Sequence, residues 1–391
     1  MTILGLYLLN HIRTGGNKKY LELLEGLASR GNRVLVLFND GLDYKSVSFT
    51  KIDIPIQYKG RFPPASYRFK KYLEKNIEVL KKTITDQCGV NSIDIIVNFG
   101  DTQLNAALYL KRQFRTALLY GIRCNDVERS RILRSYGHLG AKAYFFSLLY
   151  QQIERSREKK AAKYAECITF LNSSDMNAFT GRTRCPETKT VTIPNHIGKN
   201  CPDEYRDKNT STELKNIVYV GVMSADKGLW DLLKAAAILK SNGYKNLHYY
   251  LLGRLENTKP ALKLIHDFDI QDIVSLEGFQ NPLPYFAKND LFIYPTLYDA
   301  FGNVVTEALF AGCPVIASRA PGPSEILQYP ELLFRLGNPS EIAVKIETCI
   351  TDNGFYKKIR ALCRERVSRF QFDWAGRYES LLKTCSTGQS I

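Results

Sequence analysis

Short apolar runs rich in Ile, Val, Leu and aromatics, each bounded by turn residues, alternate along this chain with longer stretches of helical periodicity. That alternation demands parallel strands, because a strand reaches a parallel neighbour only through a crossover. It occurs in two passes. The first predicts a strand over 3–9, a Gly15-Gly16 turn, a helix over 18–29 with Leu21, Leu24, Leu27 and Ala28 on one face, and a strand over 34–38. Further strands are predicted over 93–99, 117–121, 167–171 and 190–194. The second pass predicts strands over 217–221, 249–253, 274–277, 291–294 and 314–317, with a helix over 229–241. At 391 residues the chain exceeds one ordinary core. The expected fold class is therefore α/β, two doubly wound Rossmann-like domains facing across a cleft. An N-terminal domain is expected at 1–197, a polar linker at 198–213 containing Pro202, Asn209, Thr210 and Ser211, a C-terminal domain at 214–373, and a closing helix at 374–391 that returns to the first domain.

Charge divides unevenly between the passes. Residues 1–200 hold 32 Lys+Arg against 17 Asp+Glu, whereas the remainder holds 22 of each. The whole excess of +15 lies in the first half, so that half is expected to meet something anionic. Basic residues interleaved with acids, and no recognised module, argue against nucleic acid. Two stretches set aromatics beside cations: Arg61-Phe-Pro-Pro-Ala-Ser-Tyr-Arg-Phe-Lys-Lys-Tyr72, and Ala141-Lys-Ala-Tyr-Phe-Phe-Ser-Leu-Leu-Tyr150 leading to Arg155, Arg157, Lys159, Lys160 and Lys163. Such composition suits an anionic membrane surface. No apolar run has the roughly 18 residues of a membrane span, and the opening segment, without a basic start or a cleavage site, reads as a buried strand. The nine cysteines form no Cys-x-x-Cys pair and read as free thiols.

Chemistry concentrates in the second pass. Asp299 and Glu307 lie eight positions apart, the first in the loop after a strand and the second on a helix whose start is marked by Gly302-Asn303, with Asn303 as the cap. Ligands bind at the carboxyl ends of strands in open α/β sheets, and helix-start amides suit phosphate. Carboxylates suit sugar hydroxyls. Gly221-Val-Met-Ser-Ala-Asp-Lys-Gly228 likewise follows a strand and opens a helix, which puts Lys227 in reach of a diphosphate. Asp226 reads as a first-turn charge favoured by the helix dipole.

These elements together make the chain resemble the family 4 glycosyltransferases, retaining enzymes of the two-domain GT-B fold. The family's Glu-x7-Glu motif stands here as Asp299-x7-Glu307. Gly15-Gly16, Ile193-Pro-Asn195, Tyr219-Val-Gly221, Lys227-Gly228, Leu251-Leu-Gly253, Leu276-Glu-Gly278 and Gly322-Pro-Ser-Glu-Ile-Leu327 follow in the family's order. The resemblance implies that Glu307 holds the ribose hydroxyls of a nucleotide sugar and that Asp299 lies against the donor sugar. It implies that Phe301, Gly302, Asn303 and Val304 offer backbone to sugar and phosphate, and that Lys227 neutralises the diphosphate. Gly15 and Gly16 would reach the diphosphate, and Gly221, Gly253, Gly278 and Phe279 would shape the nucleotide pocket. Three positions depart from the pattern: Val222 stands where Arg is common, Asp299 is one methylene shorter than Glu, and Arg123, Asn125 and Asp126 occupy the place of a usual His and become acceptor-side candidates.

The implied reaction transfers a sugar, with retention and without metal or cofactor, from a nucleoside-diphosphate sugar to a saccharide or lipid-linked acceptor. The implied location is cytoplasmic and peripheral on the inner face of a membrane. Alternative readings on the same fold are a catalytically impaired nucleotide-sugar-binding relative and a sugar-nucleotide epimerase.

Overall fold

A computed structural model of the chain describes residues 1–9, 12, 15–39, 42–46, 48–55, 65–89, 91–137, 141–198, 201–254 and 259–388. The elements are, in order, β1 (Thr2–Tyr7), α1 (Gly15–Ser29), β2 (Arg33–Asn39), β3 (Thr50–Ile54), α2 (Ala65–Cys88), β4 (Ile95–Phe99), α3 (Leu104–Phe114), β5 (Ala117–Gly121), α4 (Asp126–Ser135), α5 (Ala141–Tyr164), β6 (Cys167–Phe170), α6 (Ser173–Thr183) and β7 (Thr190–Thr192). There follow β8 (Asn216–Val220), α7 (Leu229–Ser241), β9 (His248–Leu252), α8 (Lys259–Asp267), β10 (Val274–Gly278), α9 (Leu283–Lys288), β11 (Leu291–Tyr294), α10 (Asn303–Phe310), β12 (Val315–Ser318), α11 (Pro321–Leu327), β13 (Leu333–Phe334), α12 (Pro339–Thr351), α13 (Asn353–Val367) and α14 (Trp374–Ser386).

The chain forms two compact units. The first contains Met1–Val127, Leu149–Ile193 and Asp373–Ile391; the second contains Glu128–Leu148 and Pro194–Phe372. Each is built on one all-parallel sheet, so the chain has the α/β class of two Rossmann-like domains.

In the first unit the strand order is β3-β2-β1-β4-β5-β6-β7. Its central strands β1, β2 and β4 are buried on both faces, which is why they read as unbroken apolar runs. Edge strand β3 alternates exposed and buried residues through Lys51 and Asp53, and its polar members hid it from the periodicity of the sequence. Helix α1 starts at Gly15, three residues before the predicted start, so the glycine pair forms its first turn rather than a separate turn. Helix α14 packs on α1 within this unit: Arg30 bridges to Asp373 at 2.9 Å and Glu379 at 2.8 Å. A Cβ at Gly26 would lie 2.9 Å from that of Ala375, so glycine permits the close approach of the two helices.

In the second unit the order is β10-β9-β8-β11-β12-β13. Helix α7 has the predicted bounds, and β13, only two residues long, carried no sequence signal. The polar stretch read as a linker is held to this unit from Asp207 onward. The Asp207 and Asn209 amides donate to the carbonyls of Phe310 and Ala311 at 2.9 Å each, and the buried Asn209 amide donates to the Phe286 carbonyl at 2.7 Å. Residues 128–148 also belong here, with the Tyr136 ring filling the space a Cβ at Gly337 would need. The sequence reading had no such excursion.

The eight cysteines with described side chains are free thiols. Among the described residues no helix is long and apolar enough to cross a membrane. The first four residues of the Arg61–Tyr72 aromatic and basic stretch lie outside the described residues.

Candidate functional site

In the second sheet the order of strand addition reverses between β8 and β11, since β8 pairs β9 on one side and β11 on the other. Loops leaving the carboxyl ends of β8 and β11 therefore part at a topological switch point, where open α/β sheets hold ligands. The two loops touch through backbone. The Leu297 amide donates to the Asp226 carbonyl at 3.0 Å, and Gly228, at φ +71°, lies so close that a Cβ would sit 1.9 Å from the Pro295 carbonyl oxygen. Only glycine meets both demands.

This junction brings Lys227 to Asp299. Lys227 Nζ lies 3.0 Å from Asp299 Oδ2 and 3.4 Å from the Tyr298 carbonyl oxygen. The same Asp299 oxygen accepts from the Tyr294 hydroxyl at 2.7 Å, while Oδ1 accepts from the Phe301 amide at 3.1 Å. Burial pushes the Asp299 carboxyl up, but Lys227, Tyr294 and the Phe301 amide together outweigh it and hold the group below its ordinary value. Burial, reinforced by that carboxylate, pushes the Tyr294 phenol well above its ordinary range, so it stays a donor. Asp299 is thus a fixed anion with its cation alongside, and about a quarter of each side chain remains exposed, 27% and 24%. A diphosphate arriving here would find a lysine already positioned.

The surrounding glycines are required by close backbone approach. A Cβ at Gly253 would meet the Gly221 carbonyl oxygen at 1.9 Å, and one at Gly322 would meet the Phe301 backbone at 2.4 Å. The Gly221 amide donates to the Leu252 carbonyl at 2.9 Å and the Gly253 amide to the Gly278 carbonyl at 2.8 Å, which ties the ends of β8, β9 and β10 into one floor. Beyond Gly278, Phe279 stands 75% exposed with the Arg254 guanidinium 5.6 Å from its ring. Glu277 accepts from Tyr285 at 2.8 Å.

Helix α10 differs in detail from the sequence reading. Its cap is Gly302, at φ +89° and with no capping side chain, while Asn303 is the first helical residue and accepts from the Asn195 amide at 2.8 Å. Because glycine holds the cap position, no side chain caps the helix and its first amides are left without a capping partner from that residue. Phe301 is buried against Phe370, with ring centroids 5.8 Å apart; Val304 and Glu307 are half-buried on the first and second turns. Asp226, read as a helix-dipole charge, sits instead in a 3-10 turn ahead of α7. It accepts from Ser224 at 2.6 Å and pairs with Arg129 at 3.3 Å, contacts that outweigh burial and hold its carboxyl below the ordinary value.

The remaining predicted residues belong to the first unit. Gly15 and Gly16 open α1. Arg123 lies 4.8 Å over the Phe99 ring, and burial lowers its guanidinium despite the Tyr378 hydroxyl beside it. Asn125 is buried, accepting from Arg182 at 3.0 Å and donating to the Asp175 carbonyl at 3.4 Å. Asp126 begins α4 and accepts from the Cys124 thiol at 3.3 Å. Two residues escaped the sequence reading: Tyr294 and Arg129. A tyrosine closing an apolar strand five positions before an acid was the available signal for the first. For Arg129, remote in sequence from its partner, there was none.

Residues 202–366 match the family model for glycosyl transferases group 1. The chain is 30% identical over 155 residues to the capsular polysaccharide biosynthesis glycosyltransferase CapM of Staphylococcus aureus, covering 39% of this chain and 40% of that one. For three of the curated relatives, CapM among them, the matched stretch spans between 40% and 47% of their length. A longer match, 22% identical over 377 residues and covering 95% of this chain and 96% of the other, is to the N-acetylgalactosamine-N,N'-diacetylbacillosaminyl-diphospho-undecaprenol 4-alpha-N-acetylgalactosaminyltransferase of Campylobacter jejuni. The solved structure of Anabaena HepE in complex with UDP superposes with a TM-score of 0.72 at 18% identity, over 99% of this chain and all of that one. The fold is that of the GT-B proteins.

Proposed function

With a glycosyl transferases group 1 segment at residues 202–366, we propose that this chain is a retaining glycosyltransferase that moves a sugar from a nucleoside-diphosphate sugar to a hydroxyl of a saccharide or lipid-linked saccharide. The observation that carries the reading is the Lys227–Asp299 pair at the switch point between β8 and β11, inside the segment that matches the family. Support for the substrate classes comes from the relatives' names, one of them a capsular polysaccharide glycosyltransferase and another acting on a diphospho-undecaprenol acceptor, and from the UDP held by HepE.

In this reading Lys227 exchanges Asp299 for the donor's diphosphate, neutralising charge as the bond to the sugar breaks. Asp299 keeps Tyr294 and the Phe301 amide as partners, so it stays ionised and faces the donor sugar. Glu307 holds the ribose hydroxyls, and the backbone from 301 to 304 meets sugar and phosphate. The acceptor hydroxyl attacks the anomeric carbon from the face the diphosphate leaves. The carbon–phosphate oxygen bond breaks, the carbon–acceptor oxygen bond forms, and the acceptor proton passes to the departing phosphate. Configuration is retained without a protein nucleophile, and no metal is assigned a part.

The test is thermal unfolding of the full chain against a panel of UDP, GDP, ADP and their sugars. A ligand at 100 times its dissociation constant stabilises the folded state by about 2.7 kcal/mol, so the true donor raises Tm while its congeners do little. A panel in which nothing shifts Tm removes the reading.

A further inference from the structure

The loop that presents Lys227 is pinned at the residue before it. The Asp226 carbonyl accepts from the Leu297 amide at 3.0 Å, and the Lys227 amide donates to the Ser224 carbonyl at 3.2 Å. On the side chain, Asp226 Oδ1 accepts from the Ser224 hydroxyl at 2.6 Å and Oδ2 accepts from Arg129 Nη2 at 3.3 Å. Arg129 lies in the stretch Glu128–Leu148, and Asp226 and Lys227 lie in Pro194–Phe372; both stretches belong to the second unit, so the contact is internal to it. Four charges of alternating sign therefore meet at the switch point: Arg129 with Asp226 at 3.3 Å, and Lys227 with Asp299 at 3.0 Å. The two pairs also feel each other. Burial pushes the Asp226 carboxyl up, but Ser224, Lys227 and Arg129 together hold it below its ordinary value, so it stands as an anion beside Lys227. That anion has no part in the sugar-transfer steps. It opposes any further anion that Lys227 is to hold, and a cation of its own removes the opposition.

We propose that Arg129 is a positioning residue for donor binding: it takes up the charge of Asp226, so that Lys227 stays available to a nucleoside diphosphate. The assignment rests on the sugar-transfer reading, in which Lys227 meets the diphosphate, and adds to it a residue from outside the 202–366 segment that matches the family. Arg129 acts through Asp226 and does not touch the donor. A guanidinium suits this place, because it stays charged at every working pH and spreads its N–H donors in a plane that holds a carboxylate. With 44% of the Arg129 side chain and 29% of the Asp226 side chain exposed, the pair adds little to the stability of the fold. Its loss should therefore be read in ligand binding and not in Tm.

The experiment is calorimetric titration of the full chain with UDP, GDP and ADP, with Tm recorded for every variant; the nucleotide that wild type binds most tightly is the probe. Arg129→Ala weakens binding about tenfold with Tm kept, because Asp226 is left uncompensated beside Lys227. Asp226→Asn, whose amide oxygen can still accept from Ser224, stays within about twofold of wild type. Combining the two restores the affinity that Arg129→Ala alone loses, since the charge that did the harm is gone. Arg129→Lys keeps the cation and stays within about threefold. The Arg129→Ala deficit also shrinks as KCl rises from about 0.05 M to about 0.5 M, as a charge effect must. A purely structural contact behaves otherwise: both single variants would lower Tm and weaken binding, and the double variant would not recover. Wild-type affinity in Arg129→Ala, or a double variant as weak as Arg129→Ala, overturns the proposal. Lys227→Ala separates the two readings. If it loses binding while Arg129→Ala does not, the donor site stands and this proposal falls; if no nucleotide binds wild type, or Lys227→Ala binds as wild type does, the donor reading falls and takes the proposal with it.

Discussion

In the first unit, charged and polar side chains near the carboxyl end of the sheet are turned inward: Arg123 over Phe99 and against Tyr378, Asn125 between Arg182 and Asp175. In the second, the corresponding loops hold a lysine and a carboxylate 3.0 Å apart with a quarter of each still open to solvent. Counted by unit, the first holds 29 Lys+Arg against 18 Asp+Glu and the second 25 against 21, so the first carries most of the positive charge, yet the second has the half-buried lysine–carboxylate pair. Net charge spreads a broad positive potential over a surface, while a single lysine held by backbone geometry offers a localised cation. The same parallel topology serves both, because a switch point supplies a crevice and leaves its chemistry to the loops.

The comparison breaks most readily at Lys227. Lys227→Ala should lower turnover by about 100- to 1,000-fold with Tm nearly kept, and Glu307→Ala should act similarly; near wild-type turnover in both would strip the second unit of its assigned role. Gly228→Ala comes next. Its Cβ would meet the Pro295 carbonyl, so the loop carrying Asp299 must shift and the unit should lose about 3 kcal/mol or more by denaturant unfolding. Gly31→Ala in the first unit is the control at a similar positive φ but with nothing within 4 Å, and it should cost about 1 kcal/mol. Equal losses at the two sites would mean that close approach is not what fixes the β8 loop.

Acid sharpens the comparison at the smallest scale. Arg30 and Asn32 hold Glu379 of the first unit down at about 2, from an ordinary 4.5, and Lys227 with its neighbours holds Asp299 down in the second. A depressed carboxyl adds stability that is present above its unfolded value and is lost as pH falls through its folded one. Glu379→Gln should therefore flatten the loss of stability between pH 4.5 and about 2, and Asp299→Asn should flatten an acid loss of its own while also impairing donor-dependent stabilisation. An unaltered acid profile in Glu379→Gln would show that the α1–α14 contact adds no pH-dependent stability.

Much of this protein was legible before its structure. Strands buried on both faces declare themselves as apolar runs, so β5 and β11 have the predicted bounds, as does helix α7, and Lys227, Asp299 and Glu307 stand out by strand–loop–helix order, with their roles implied by the family resemblance. Edge strands β3 and β13 were not legible, the first because half its residues meet water and the second because two residues make no pattern. Asn303 was misread as a cap because the sequence favours asparagine there, while the backbone turned left-handed one residue earlier at Gly302.

The sequence by itself determined the alternation that makes two parallel sheets, the half of the chain that is basic, and the residue types available for phosphate and sugar. Tertiary structure alone decided that Lys227 faces Asp299, that Tyr294 and the Phe301 amide keep that carboxylate ionised, that Arg129 pairs with Asp226, and that the aromatic turns of α5 stay uncovered. The reason is range. Periodicity and turn chemistry act over a few neighbours along the chain, whereas the Lys227–Asp299 and Arg129–Asp226 pairings join residues 72 and 97 positions apart and exist only once the sheet has set its strand order.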